Sequence, residues 1–490
     1  DLLRKFAETT SVMGQMSLET VGIDDSQIYL KKLIEIGMEL SLRYHVTITN
    51  PPYMSVSNAS TKTQEFVKKS YPTSKTDMYS VFIERCQRLT LDDYFQSMIT
   101  QHTWMFLSSF EKLREEVLKL NIINVAHLGP RAFEEVGGEV VQTVSFVIRN
   151  RQLPEYNGKY IRLVKYNSQD AKEKAYLENN DVIVTKQSYF DKIPGAPMAY
   201  WASKIILDAF SNEKTIGDVA RPRLGFATGD NERFMRCWFE PNNKNIGFGC
   251  ESREAALESK RKWFPTNKGG NYRKWYGNFD LVVNWQNDGF EIRNFKDDNG
   301  KLRSRPQNLN ECFSDGITWT VITNHSSFRF SPKGLLYNNK GPILGNKNEE
   351  NNFLFIGLLN TIVTEYILQL LSPTLGFESG YVSSIPYMIP EDRRERILSL
   401  VQECIALSKS DWDSFETSWD LKKHPLLKYI ENDNESKKIA NTQGDVSTLS
   451  PIEYAYTMWM IECDERFDKL KENEEELNRM FIDIYGLQDE

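Results

Sequence analysis

Four consecutive residues, Asn50-Pro51-Pro52-Tyr53, close the β-type run Tyr44-His45-Val46-Thr47-Ile48-Thr49. Their types suit chemistry on a conjugated amine. The lone pair of an exocyclic aromatic amine is delocalised into its ring, so the nitrogen is a poor nucleophile. The Asn50 side-chain oxygen and a proline carbonyl can accept both of its N–H protons, which localises the lone pair and aims it at an electrophile. This is catalysis by positioning and electrostatics rather than by a strong base. The Tyr53 ring offers a face on which an extruded base can stack. Two prolines stiffen the turn and leave no competing amide donors. The same four residues also fit an ordinary turn at a strand end, so the flanks must decide.

After the tetrapeptide, Met54–Lys62 is polar and small, which predicts a loop. Thr76-Asp77 then reads as an N-cap, followed by Met78, Val81, Phe82, Cys86 and Leu89 at helical spacing. Asp77 could serve as that cap or help to place substrate. Met98-Ile99-Thr100 predicts a short strand leading to His102, a residue for a base pocket or for the core. Ser108 and Glu111 predict a capping box opening an amphipathic helix. Two β runs follow, Ile122–Leu128 and Val140–Ile148, separated by the turn residues Gly129-Pro130 and Gly137-Gly138. Strand, helix, strand, helix and two neighbouring strands match the second half of a doubly wound α/β domain.

The chain has 490 residues and a formal net charge of −8, distributed unevenly. Residues 221–340 hold 20 Lys/Arg against 13 Asp/Glu, a net of +7, and five of the ten tryptophans. Residues 461–490 hold 11 acids against 4 bases, a net of −7. A basic, aromatic-rich middle suits one contact with a polyanion; a solvated basic surface over core tryptophans has the same composition. The six cysteines form no Cys-x-x-Cys pair and the five histidines show no ligand spacing, so reduced thiols, a cytoplasmic protein and no metal site are expected. No stretch of about 18 apolar residues predicts a membrane span. Ser383–Pro390 punctuates a boundary, beyond which helical patterns run over Arg394–Leu407 and Pro451–Met480, and Glu431–Gly444 reads as a low-complexity loop.

In this order, Asn-Pro-Pro-Tyr, Thr76-Asp77-Met78-Tyr79, Lys112-Leu113-Arg114 and Phe133-Glu134-Glu135-Val136 resemble DNA adenine methyltransferases, and more narrowly the PglX type of BREX phage-defence systems. Ala227-Thr228-Gly229-Asp230-Asn231-Glu232-Arg233-Phe234 and Trp263 through Gly289 extend the resemblance, which reaches the tail Phe481–Leu487 and so covers nearly the whole chain. It implies methyl transfer from S-adenosyl-L-methionine to the N6 amine of an adenine flipped from double-stranded DNA, with other phage-defence proteins as possible partners and no membrane. A DNA-recognition and docking module without methyl transfer of its own is the alternative.

Three parts are expected: 1–185, the C-terminal half of a Rossmann-like methyltransferase domain; 186–390, an α+β target-recognition domain; and 391–490, a helical region. Arg223, Lys268, Arg273, Lys274, Asn278 and Asn284 are the expected DNA contacts, because Lys/Arg neutralise phosphates and Asn reads adenine. Gly269 and Gly270 would let backbone approach a phosphate. Trp263, Trp275, Trp285 and Trp319 could stack on bases or fill the core. The family holds its cofactor on a glycine-rich strand-to-helix turn. Residues 1–43 contain only the isolated Gly14, Gly22 and Gly37, so that motif is expected upstream of Asp1. The 490-residue chain should therefore bind S-adenosyl-L-methionine weakly or not at all by calorimetry, and micromolar affinity would overturn that expectation.

Overall fold

The structure is a computed structural model that describes residues 21–133, 141–323, 325–345, 349–371, 376–430, 437–440 and 446–489. Glu134–Val136, Gly137 and Gly138, singled out above, lie outside them. The chain forms two compact units, Asp1–Trp201 and Ala202–Glu490.

The first unit is mixed α/β. Its six strands are β1 (Tyr44–Thr49), β2 (Thr90–Gln101), β3 (Asn121–Gly129), β4 (Thr143–Arg149), β5 (Asn157–Arg162) and β6 (Val182–Lys186), in the sheet order β1-β2-β4-β3-β5-β6. β1 is parallel to β2, and β3 is parallel to β5. β4 runs antiparallel between β2 and β3, and β6 is antiparallel to β5. Helix α1 (Val21–Glu39) precedes the sheet; α2 (Thr61–Ser70) and α3 (Met78–Leu89) make the β1–β2 crossover. α4 (Glu111–Val117) joins β2 to β3, and α5 (Gln169–Leu177) joins β5 to β6. The core is the sheet face and the helices on it, with Tyr79, Met98, Trp104, Phe110, Leu113, Val144 and Phe146 buried together.

Two local expectations are corrected. Met54–Lys62 is not a plain loop. Ser55 caps a 3-10 turn at Val56–Asn58, and Ser60 accepts from the Thr63 amide at 3.3 Å to start α2. Hydroxyl residues that disfavour helix interiors act here as caps. The Ser108/Glu111 capping box does not form. Ser108–Phe110 is itself a 3-10 turn, so Glu111 becomes the first residue of α4 and Phe110 its uncapped predecessor.

The second unit is α+β. One sheet has the order β13-β9-β10-β8 and a second β12-β11-β14-β7. These strands span β7 Arg221–Arg223, β8 Met235–Cys237, β9 Trp263–Asn267, β10 Leu281–Asn284, β11 Gly316–Trp319, β12 Phe328–Ser331, β13 Leu336–Tyr337 and β14 Ile343–Gly345. The longer helices that follow are α6 (Glu349–Leu359), α7 (Ile362–Leu371), α8 (Arg394–Trp412) and α9 (Pro451–Tyr485). Between α8 and α9 a hairpin pairs Lys437–Ala440, inside the stretch read as a loop, with Val446–Leu449 just beyond it. α9 packs its C-terminal half within the unit through Leu477, Met480, Phe481 and Tyr485. Arg396 of α8 holds Glu476 in a double hydrogen bond of 2.6 Å each. Among the described residues no single helix is long and apolar enough to cross a membrane; the apolar pair α6 and α7 meets at 72° and is largely buried. None of the six cysteines is in a disulfide.

His102 belongs to the core. It is buried and its Nδ1 lies 2.9 Å from Nε2 of His127, whose Nδ1 meets the Tyr200 hydroxyl at 3.0 Å. Burial pushes His102 down to about 4. It pushes His127 well below its usual value, helped by the charges of His102, Arg162 and Lys172. The folded chain keeps both rings neutral, whereas the unfolded chain protonates them near pH 6.5. This stability is therefore whole above pH 6.5 and lost as pH falls toward 4, at about 1.4 kcal/mol per pH unit for His102. Urea midpoints measured from pH 7.5 to 5 should fall, and His102→Gln should flatten the decline; equal slopes in both proteins would exclude this account.

Candidate active site and nucleic-acid interface

Among the described residues β1 is hydrogen-bonded on one side only, to β2, with Thr47, Ile48 and Thr49 opposite Gln96, Ser97 and Met98. That parallel register sets where the chain leaves the sheet. Asn50 follows at the strand's C-terminal end, exposed, its side chain without a hydrogen-bond partner among the described residues. Pro51 is buried and Pro52 exposed, so the first proline wedges the turn against the unit and the second faces solvent. The half-buried Tyr53 packs on the core, edge to face with Tyr79 at 6.1 Å. Its hydroxyl donates to the Ile99 carbonyl of β2 at 3.2 Å. Burial pushes that hydroxyl up to about 12, so at neutral pH it is a proton-bearing anchor and not a base.

The downstream side is fixed by Asp77. One carboxylate oxygen accepts from the Met54 amide at 3.1 Å and from the Tyr79 amide at 3.3 Å, so the residue that caps α3 also holds the chain leaving the tetrapeptide. Ser80 completes the capping box. Backbone bonds between Met78 and Met54 (2.9 Å) and between Val56 and Thr76 (3.2 Å) reinforce the link. The tetrapeptide is thus held at both ends while the Asn50 amide stays open. Such a site can accept protons from an amine and fix its orientation; its positioning groups offer no strong base. The Ile99 carbonyl escaped the sequence reading because a backbone acceptor carries no residue-type signal. The dual use of Asp77 had only a capping signal.

The expected DNA contacts divide. Arg223 on the edge strand β7 and Lys268 after β9 are partly exposed and carry no ion pair among the described residues. Arg273 and Lys274 are instead engaged within the second unit. Arg273 meets Asp411 at 3.0 Å and lies over the Trp412 ring at 5.2 Å. Lys274 meets Glu474 at 3.4 Å, and Glu474 also accepts from the Trp275 indole at 2.6 Å. These cations hold α8 and α9 against the segment from which they come. Asn284 is buried, its oxygen facing the Gln286 amide at 3.4 Å, so it is removed from any base edge. Asn278 has a left-handed backbone (φ 62°) and donates to the Asn271 carbonyl at 2.8 Å.

Gly269 (φ 94°) and Gly270 (φ 115°) serve close packing of chain on chain. A Cβ on Gly269 would stand 2.8 Å from the Lys340 carbonyl oxygen, and one on Gly270 would stand 2.9 Å from the Asn278 amide. Trp275, Trp285 and Trp319 are fully buried core residues. Trp263 is partly exposed, with Lys262 and Arg236 over its ring.

The described residues do not by themselves fit a nucleotide-like cofactor. Among the described residues no glycine-rich turn joins a strand of the first sheet to its helix, and β1 presents Val46 and Ile48 to solvent, 52% and 76% exposed.

A family model described as Eco57I restriction-modification methylase matches residues 15–132. The fold over most of the chain resembles the Type IIL restriction-modification enzyme MmeI in complex with DNA, with a TM-score of 0.52 and 12% identity, covering 90% of this chain and 54% of that one. Residues 15–132 are thus similar in sequence to restriction-modification methylases. Within that class the chain is a homologue of the PglX-type adenine-specific methyltransferases. It is 41% identical over 487 residues to adenine-specific methyltransferase PglX of Lacticaseibacillus casei (strain Zhang), which covers 97% of this chain and 39% of that protein. It is 32% identical over 451 residues to adenine-specific methyltransferase BrxX of Escherichia coli O9:H4 (strain HS), covering 91% and 34%. The chain thus spans well under half the length of these relatives.

If Asp77 clamps the tetrapeptide, Asp77→Ala should lower stability by about 1 kcal/mol through the lost cap and raise amide exchange at residues 53–56. Asp77→Asn, also a good cap, should stay near the parent in stability. Unchanged exchange in Asp77→Ala would remove the clamp from this account.

Proposed function

We propose that this chain forms the target-amine part of a DNA adenine N6-methyltransferase, in which Asn50, Pro51, Pro52 and Tyr53 hold a flipped adenine. The observation that carries the reading is the tetrapeptide itself. It stands at the C-terminal end of a parallel strand, is anchored on both sides, and leaves the Asn50 amide exposed. The Asn50 oxygen and the Pro51 carbonyl accept the two amine protons, and Tyr53 supports the base by stacking while its hydroxyl stays on Ile99. S-adenosyl-L-methionine is the methyl donor that the PglX and BrxX relationship supports. The open edge of β1 among the described residues, together with the exposed Tyr29, Leu30, Leu33 and Ile36 of α1, is the apolar surface against which a cofactor-binding part would pack.

Residues 1–185 would then contribute to catalysis, 186–390 to target recognition, and 391–490 to a helical support. Double-stranded DNA is the proposed substrate. Phosphate contact is assigned to Arg223, Lys268 and the neighbouring Lys340, whose charges are not engaged in ion pairs among the described residues. Arg273 and Lys274 brace the recognition part from within.

The test is an adenine-methylation map by long-read sequencing of cells carrying the intact parent protein or its Asn50→Ala version. One short motif should lose methylation in the variant, and Tyr53→Phe should retain most of it because the ring remains. Identical maps for parent and Asn50→Ala, with both proteins expressed, would refute the proposal. In vitro, Lys268→Glu with Lys340→Glu should weaken duplex binding about tenfold or more, with a shallower salt dependence. Arg273→Ala should reduce thermal stability more than DNA affinity.

A further inference from the structure

The second unit contains a cleft of about 380 Å³ that none of the roles above uses. Its walls come from four separated stretches: Trp238 after β8, Phe248 in the loop before β9, Phe279 before β10, and Trp419 beyond α8. The rings converge without stacking on one another. Phe248 and Trp419 lie 5.2 Å apart at 45°, and Phe279 and Trp419 lie 6.3 Å apart at 32°. Trp238 is held in place by its indole N–H, which donates to the Thr417 carbonyl at 3.0 Å. Phe279 is buried at the cleft floor, whereas Trp238, Phe248 and Trp419 are only partly covered. At Gly249 (φ 72°) no atom stands within 4 Å of where a Cβ would be, so the wall opens there.

The charges at the rim decide the ligand class. Lys333 and Lys422 line the cleft, are exposed, and have no ion pair among the described residues. The one acid in the lining, Asp420, faces Lys409 at 3.9 Å. Two unpaired lysines make the rim unfavourable for a cationic ligand, although aromatic walls alone would suit one. Flat aromatic surfaces inside with ammonium groups outside are the pairing that single-stranded nucleic-acid sites use, bases on rings and phosphates on cations. The volume lies in the range of small-ligand pockets and exceeds what one base needs.

We infer that this cleft binds one unpaired nucleotide, its base among Trp238, Phe248 and Trp419 and its phosphate at Lys333 and Lys422. The site is separate from the Asn50 tetrapeptide, which belongs to the other unit. It rests on the nucleic-acid reading only for the choice of probe. The two fail separately, because methylation is read on adenine in cells and this site is read by binding in cofactor-free buffer.

The experiment titrates the whole 490-residue chain with thymidine monophosphate and with an eight-residue oligothymidylate, following tryptophan emission and calorimetric heat. The variants are Lys333→Glu with Lys422→Glu, Trp419→Leu and Phe248→Leu. The lysine pair, on exposed side chains, carries the test if a ring variant fails to fold. Oligothymidylate affinity should fall about tenfold in the lysine variant and in each folded ring variant. Much tighter binding of the oligomer than of the monophosphate assigns the site to a strand; equal binding assigns it to a free nucleotide. Failure of the parent chain to bind either probe overturns the inference. So does binding unchanged in the lysine variant, or a loss in that variant with both folded ring variants unaffected.

Discussion

The parallel pairing of β1 with β2 is the constraint on which the tetrapeptide depends. Asn50 has no side-chain bond of its own among the described residues, so its position is inherited from backbone. Thr49 lies opposite Met98 in that ladder, and Asn50 with two rigid prolines separates it from Tyr53, whose hydroxyl returns to Ile99 on the same strand as Met98. A loop that leaves one strand and is tied back to its neighbour has few conformations left. Asp77 removes more by joining the next helix to the outgoing chain. An open amide between two anchored ends is what a positioning site requires, because hydrogen-bond geometry must exist before the substrate arrives.

The second unit shows how formal charge overstates what a surface can offer. Residues 221–340 carry a net of +7, yet Arg273, Lys274, Arg253 and Arg293 are paired with Asp411, Glu474 and Asp288. The acidic tail contributes Glu474 and Glu476 to bonds within the unit, so part of its −7 is structural. What remains for a polyanion is a smaller set of cations without an ion pair among the described residues, such as Arg223, Lys268, Lys340, Lys333 and Lys422. Arg273 is partly buried over Trp412, where a phosphate would have to displace both a carboxylate and a ring.

The first unit carries an apolar surface that its described residues leave uncovered. Among the described residues β1 has a neighbour on one side only, and its Val46 and Ile48 face water. α1 exposes Tyr29, Leu30, Leu33 and Ile36, an apolar set larger than a solvated helix needs. The chain carries the groups that would hold an amine and lacks, among its described residues, a phosphate-type cradle.

Much of the first unit was legible from residue order. Tyr44–Thr49 forms β1 with the bounds its composition suggested, Asp77 caps α3, and the two runs near 122 and 143 are neighbouring strands. These signals are local: alternation, caps and turns act within a few residues. The sequence by itself determined the tetrapeptide, its strand, and the relationship to adenine methyltransferases carried by its motifs. It did not determine which lysines and arginines are available, because Asp411 lies 138 residues from Arg273 and Glu474 lies 200 from Lys274. Nor did it reveal that Gly269, Gly270 and Asn284 serve packing, or that Ser108 would start a 3-10 turn. Those outcomes depend on which distant chain segments meet, and only the tertiary structure brings a carboxylate, a ring or a carbonyl within reach of each.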